Sequence, residues 1–193
     1  MTLGQLVRPN SFKIAILGEG GIGKTTICKT YDHHKTFLDT MQTIAVEFHV
    51  IRRNFRGENY TLQVWDLGGQ QHFKNMGVFG KYCKGIRGAV VCFDLTDIET
   101  LFAVPEWLAF IPDNVPMFLV GTKGDLAESD DFVIEEIKQL MATHGFVDYI
   151  ETSATDLESV ERVFNCLLAK LTAPVTPSVN VPELLATKNI ESM

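Results

Sequence analysis

Chemistry is most directly implied by the stretch Gly18-Glu19-Gly20-Gly21-Ile22-Gly23-Lys24-Thr25. It fits the pattern G-x-x-x-x-G-K-[ST] and lies between an apolar run and a segment of helical periodicity, the setting in which such a loop wraps phosphate. The glycines permit positive φ and let backbone amides converge on phosphate oxygens, while the following helix adds the partial positive charge of its N-terminus. Glu19, Gly20, Gly21, Ile22, Gly23, Lys24, Thr25 and Thr26 are thus expected to line the phosphates, with Lys24 bridging the β- and γ-phosphates. The Thr25 hydroxyl has the reach to ligate Mg2+, a hard cation that takes oxygen ligands and keeps several waters. The bland alternative, a glycine-rich turn without a ligand, gives Lys24 and Thr25 no reason to follow Gly23.

Two further segments address the base. Thr122-Lys123-Gly124-Asp125 follows an apolar strand ending at Val120. The Asp125 carboxylate can accept from both N1–H and the 2-amino group of guanine, donors that adenine lacks, and leaving such a group unpaired against the wrong base is costly. Lys123 would lay its aliphatic stem along the ring, and Thr122 stands beside it. In Glu151-Thr152-Ser153-Ala154 the amides of Ser153 and Ala154 could meet the guanine carbonyl. A phosphate-loop ATPase or kinase, the rival enzyme reading, would need a pocket without the selectivity of Asp125.

The elements that must hold these loops are legible from periodicity. Phe12 to Leu17, Ala89 to Phe93 and Met117 to Val120 are short, nearly continuous apolar runs, as expected of parallel strands buried on both faces. Ile44, Val46, Phe48 and Val50 alternate with polar positions, and Thr61 to Asp66 resumes after Arg56-Gly57-Glu58-Asn59, predicting a hairpin. Helical stripes run through Val133, Ile134, Ile137, Leu140 and Met141, and through Leu157, Val160, Val163, Phe164, Leu167, Leu168 and Leu171. Thr155 and Glu158 have capping-box spacing at the start of the second. Strands alternating with helices predict a doubly wound α/β domain whose early hairpin supplies an antiparallel edge strand. Residues 1–11 read as an N-terminal extension, 12–171 as the domain, and the proline-containing 172–193 as a tail.

A chain of 193 residues with a net charge of -7 has room for one core and repels nucleic acid and anionic lipid, so no nucleic-acid role is expected. Cys28, Cys83, Cys92 and Cys166 lack C-x-x-C spacing and lie in apolar segments, reading as buried free thiols of a reducing compartment. With no apolar run of membrane-spanning length and no signal-peptide core, a cytoplasmic protein is expected.

Taken in order and spacing, the three loop motifs resemble the Ras superfamily of small GTPases over roughly residues 12 to 171. Thr43-Ile44-Ala45-Val46-Glu47-Phe48 is similar to the switch I sequence of the Rab branch, and Leu62-Gln63-Val64-Trp65-Asp66 to the strand entering its switch II. The resemblance implies a six-stranded phosphate-loop fold, binding of GTP and GDP with Mg2+, and slow hydrolysis of GTP. It assigns Thr43 to the metal and γ-phosphate, Asp66 to a metal-bound water, the Gly69 amide to the γ-phosphate, and Gln70 to the attacking water, with Lys24 stabilising charge. It also implies effector, exchange-factor and activating proteins that dock through the switches, on a surface comprising Ile44, Phe48, Trp65 and Tyr82. No arginine lies between Pro9 and Ile51, so switch I cannot supply a finger in cis and an activating partner is implied.

Several positions depart from the Rab pattern. Thr122 stands where Asn is commoner, as in Rho proteins, and is expected to weaken bracing around the base, yet Asp125 to Glu151 is too short for the Rho insert helix. Strict spacing puts the aromatic clamp over guanine at Thr36, leaving Phe37 as the candidate, and Gln70 to Gly85 is about two residues longer than its Rab counterpart. There is no cysteine after Cys166 for prenylation, and Thr2 follows Met1, so a monomer with no direct lipid anchor is expected. The alternative within the same resemblance is a pseudo-GTPase scaffold that holds guanine nucleotide without turnover.

Overall fold

A computed structural model describes residues 10–33, 46–69 and 78–174. Its elements are β1 (Ser11–Leu17), α1 (Lys24–His33), β2 (Val46–Phe55), β3 (Glu58–Leu67), α2 (Phe79–Cys83) and β4 (Gly88–Asp94). They continue with α3 (Glu99–Phe102), α4 (Val104–Leu108), β5 (Met117–Thr122), α5 (Asp131–His144), β6 (Asp148–Glu151) and α6 (Leu157–Thr172). The strands form one sheet in the order β2-β3-β1-β4-β5-β6. Five strands are mutually parallel and β2 runs antiparallel at the edge, as the hairpin predicted.

Strict alternation along β1 sends Phe12, Ile14 and Ile16 to one face and Ala15 and Leu17 to the other. The first face is covered by α1 and α6 through Ile27, Cys28 and Tyr31 and through Val160, Val163, Phe164, Leu167 and Leu168. The second is covered by Phe79, Cys83, Leu101, Val104, Trp107 and Ile137. Two covered faces explain why β4 is buried along its whole length whereas β2 alternates.

Several sequence expectations are corrected. The hairpin turn is only Arg56-Gly57, both at positive φ, with Phe55 opposite Glu58, so Glu58 and Asn59 already belong to β3. Two left-handed residues match the twist of the flanking strands better than a four-residue loop. Asp156, not Thr155, caps α6, its side chain accepting from the Glu158 amide, and an aspartate one residue nearer the helix does that task at least as well. Ile134 is exposed, because α5 turns a narrower stripe of Val133, Ile137, Leu140 and Met141 to the core. Cys166 is only partly buried.

Burial pushes the Cys83 thiol up to about 11 and the Cys92 thiol up to about 12 from an ordinary 9.0. Tyr31 and Tyr149 are likewise pushed up to about 12. Each group keeps its proton in the folded chain after the unfolded chain has lost it, so the stability it contributes is full below the unfolded pKa and is lost as pH rises through the folded value. Stability is therefore expected to fall between pH 9 and 11 by roughly 1.4 kcal/mol per pH unit for each buried thiol. Urea midpoints at stepped pH measure this; Cys92→Ala should flatten the slope, and a constant midpoint would contradict it.

Candidate functional site

Because the five parallel strands share a direction, the loops leaving β1, β3, β4, β5 and β6 gather at one edge of the sheet, where open α/β sheets bind ligands. All three predicted motifs are among them. The loop after β1 starts at Gly18, whose φ of +136° and close approach to the Cys92 carbonyl leave no room for a Cβ. It ends where Ile27 N donates to Gly23 O at 3.0 Å and α1 begins with Lys24.

Lys24 curls back over this loop, its Nζ donating to Gly18 O at 2.8 Å and Glu19 O at 2.6 Å. Burial lowers its pKa, opposed chiefly by the Asp66 carboxylate. The ammonium is thus held inside the loop by neutral carbonyls, bonds it can exchange for phosphate oxygens. Beside it, Thr25 Oγ1 donates to Asp66 Oδ2 from the end of β3. Asp66 is fully buried, and this raises its pKa against the pull of Lys24 and of the Thr25 hydrogen bond. A hydroxyl and a carboxylate in contact, both hard oxygen donors next to the phosphate loop, fit Mg2+. Three residues on, Gly69 sits so close to the Glu19–Gly20 backbone that any Cβ there would collide with it.

At the base end, Gly124 N donates to Thr152 O at 3.1 Å and Thr152 N to Gly121 O at 2.8 Å, joining the two predicted base loops. Asp125 Oδ1 accepts from Ser153 Oγ at 2.6 Å, which fixes the carboxylate beside the Ser153 loop and leaves its other lone pairs for a base. The Ser153 amide already donates to Ser159 Oγ at 3.1 Å, so Ala154 is the freer of the two expected backbone donors. Thr30 Oγ1 reaches Ala154 O at 3.4 Å, linking α1 to this loop. Thr122 braces the loop through a single hydroxyl: its buried Oγ1 lies 2.7 Å from Ile22 O and 3.0 Å from Phe93 O. One hydroxyl proton serves one carbonyl at a time, but the tie to the phosphate loop is made. Lys123, at a φ of +58°, pairs its Nζ with Asp94 Oδ2 at 2.5 Å. That pairing fixes the direction of its stem.

Two positioning residues escaped the sequence reading. Asp94 anchors Lys123 and accepts from both Thr96 N at 2.9 Å and Thr96 Oγ1 at 2.7 Å; an aspartate ending an apolar strand two residues before a threonine was the available signal. Trp107, fully buried on α4, donates its indole N–H to Glu19 Oε1 at 3.1 Å. A carboxylate in a loop built for phosphate requires a partner that turns it away, and this was the missed clue. Trp107→Phe is expected to cost about 1.5–3 kcal/mol, the worth of a hydrogen bond to a charged group, and to speed nucleotide release. Urea unfolding and release of a fluorescent nucleotide measure both effects, and a wild-type release rate would rule out a hold on the loop.

Phe48, Trp65 and Tyr82 form a contiguous row, with centroids 5.2 Å apart for the first pair and 5.6 Å for the second. Phe48 is 49% exposed, so the row opens at the surface. Phe37, Thr43, Ile44 and Gln70 lie outside the described residues.

The family model described as Ras family matches residues 13–173. Among curated proteins, the Ras-related protein Rab-19 of Xenopus laevis is 32% identical over 167 residues, covering 84% of this chain and 77% of its own length. Rab-25 of Bos taurus is 31% identical, covering 86% of the chain and 78% of its own. RABA2d of Arabidopsis thaliana is 30% identical, with 83% and 74% covered.

Proposed function

Since this chain belongs to the Ras family, in its Rab branch, we propose that it binds GTP and GDP with Mg2+, hydrolyses GTP slowly, and depends on an activating protein for faster turnover. The observation that carries this reading is the convergence at one sheet edge of Lys24 over the phosphate loop, Thr25 against Asp66, and Asp125 against Ser153.

In this mechanism Lys24 exchanges its carbonyl partners for phosphate oxygens, and the loop amides take up the spreading negative charge. Thr25 and Thr43 would hold Mg2+, with Asp66 acting through a water, and the cation would neutralise charge on the phosphoryl oxygens. Gln70 orients the attacking water in line with the γ-phosphate, and no covalent intermediate forms. The Gly69 amide and Thr43 engage the third phosphate, so its loss frees both switches and alters the surface around Phe48, Trp65 and Tyr82 that effectors would read. A monomeric, cytoplasmic protein is part of the same reading.

The decisive experiment identifies the nucleotide that co-purifies with the protein and then follows phosphate release from GTP. A guanine nucleotide, with release slowed further in Gln70→Leu, supports the switch. Bound guanine nucleotide with no release even in a partner extract would favour the scaffold, and displacement of GTP by excess ATP would favour an ATPase.

A further inference from the structure

Beneath the phosphate loop, Cys28 of α1, His49 of β2 and Asp66 of β3 bring one ligand atom each within 4.8 Å of one another. Sheet register explains the meeting. Glu47 faces Asp66 across the β2–β3 ladder, His49 lies two residues along on the same side, and α1 packs over that face. Cys28 and Asp66 are fully buried and His49 is 8% exposed. His49 Nε2 is buried without a hydrogen-bond partner among the described residues. An imidazole nitrogen placed there is costly unless something accepts its bond. Glu47 Oε1 stands 4.0 Å from Nε2.

We propose that Cys28, His49 and Asp66 form a binding site for a borderline-soft divalent cation of the zinc class, distinct from the Mg2+ position between Thr25 and Asp66. Thiolate, imidazole and carboxylate are a donor set that suits zinc and does not suit Mg2+. Three protein ligands leave a fourth position for water. Bonds of about 2.0–2.3 Å place tetrahedral ligand atoms roughly 3.3–3.8 Å apart, so small side-chain rotations close the cluster. Binding displaces the thiol proton of Cys28 to solvent. Because Asp66 belongs to both sites, a zinc-class ion here competes with Mg2+ for one carboxylate and uncouples the nucleotide from its metal.

The probe is Co2+, titrated into the full-length protein after divalent ions have been removed by chelation and the chelator exchanged away. One equivalent should bind with a near-ultraviolet thiolate-to-cobalt band, and Mg2+ should weaken the apparent affinity. Cys28→Ser keeps Cys83, Cys92 and Cys166 and should lose the band; His49→Gln should bind at least tenfold more weakly. X-ray absorption of the zinc-loaded wild-type protein, which needs no variant to fold, should show one sulfur neighbour. No band in the wild type, a band that survives Cys28→Ser, or a zinc shell without sulfur overturns the site. None of these readouts depends on GTP turnover.

Discussion

Asp125→Asn is expected to lower affinity for GDP and GTP by about 10⁴-fold, because a carboxamide sets its own N–H₂ against the two donors of guanine. Ser153 Oγ donates to Asp125 Oδ1 at 2.6 Å, and asparagine can still accept that bond, so the loop itself should survive. Xanthine carries a carbonyl where guanine carries its amino group, so the same variant should gain affinity for xanthosine diphosphate. The loss corresponds to about 5.5 kcal/mol. Calorimetric titration with both nucleotides gives the answer directly. Undiminished binding of GDP would mean that the base is read elsewhere.

Lys24→Ala should weaken GDP and GTP together by about 30- to 5,000-fold, the roughly 2–5 kcal/mol typical of removing one partner from a buried charged pair. The arithmetic is asymmetric between states. Without ligand, truncation removes the bonds to the carbonyls of Gly18 and Glu19 and the cation that faces Asp66; with ligand, it also leaves phosphate oxygens facing a vacated corner. The signature separating it from Asp125→Asn is that xanthine nucleotides gain nothing. If Lys24→Ala bound GDP as the wild type does, the phosphate cradle would lose its principal charge and the reading with it.

What could be read from residue order alone was what leaves a local trace. Buried parallel strands leave continuous apolar runs, as along Gly88–Asp94, and the phosphate loop announces itself because its glycines and Lys24 are adjacent in the chain. Bonds between distant segments leave no period. The indole of Trp107 meets Glu19 across 88 positions, and the Thr122 hydroxyl meets Ile22 across 100. Helices as short as Glu99–Phe102 and Val104–Leu108 turn too few times to show a stripe. Residue order alone does not choose between Thr155 and Asp156 as the cap of α6, because both are good caps and only backbone geometry separates them. In α5 the helical period was right and the width of its apolar stripe was not, since Ile134 faces water.

The same stitching has a consequence for how the protein comes to exist on the ribosome. A nascent chain that has emerged as far as Asp125 has its phosphate loop and the carboxylate proposed to read guanine outside the ribosome, yet Ser153, Thr152 and Ser159, which hold the base loops in place, have still to emerge. Nucleotide capture is therefore a late event of biogenesis, and from then on the ligand acts as a clasp across the whole domain. Ligand that binds only the finished fold deepens its stability by mass action, about 4 kcal/mol at a thousandfold excess over its dissociation constant. Emptying the pocket during exchange thus exposes the chain, for that interval, at its least stable.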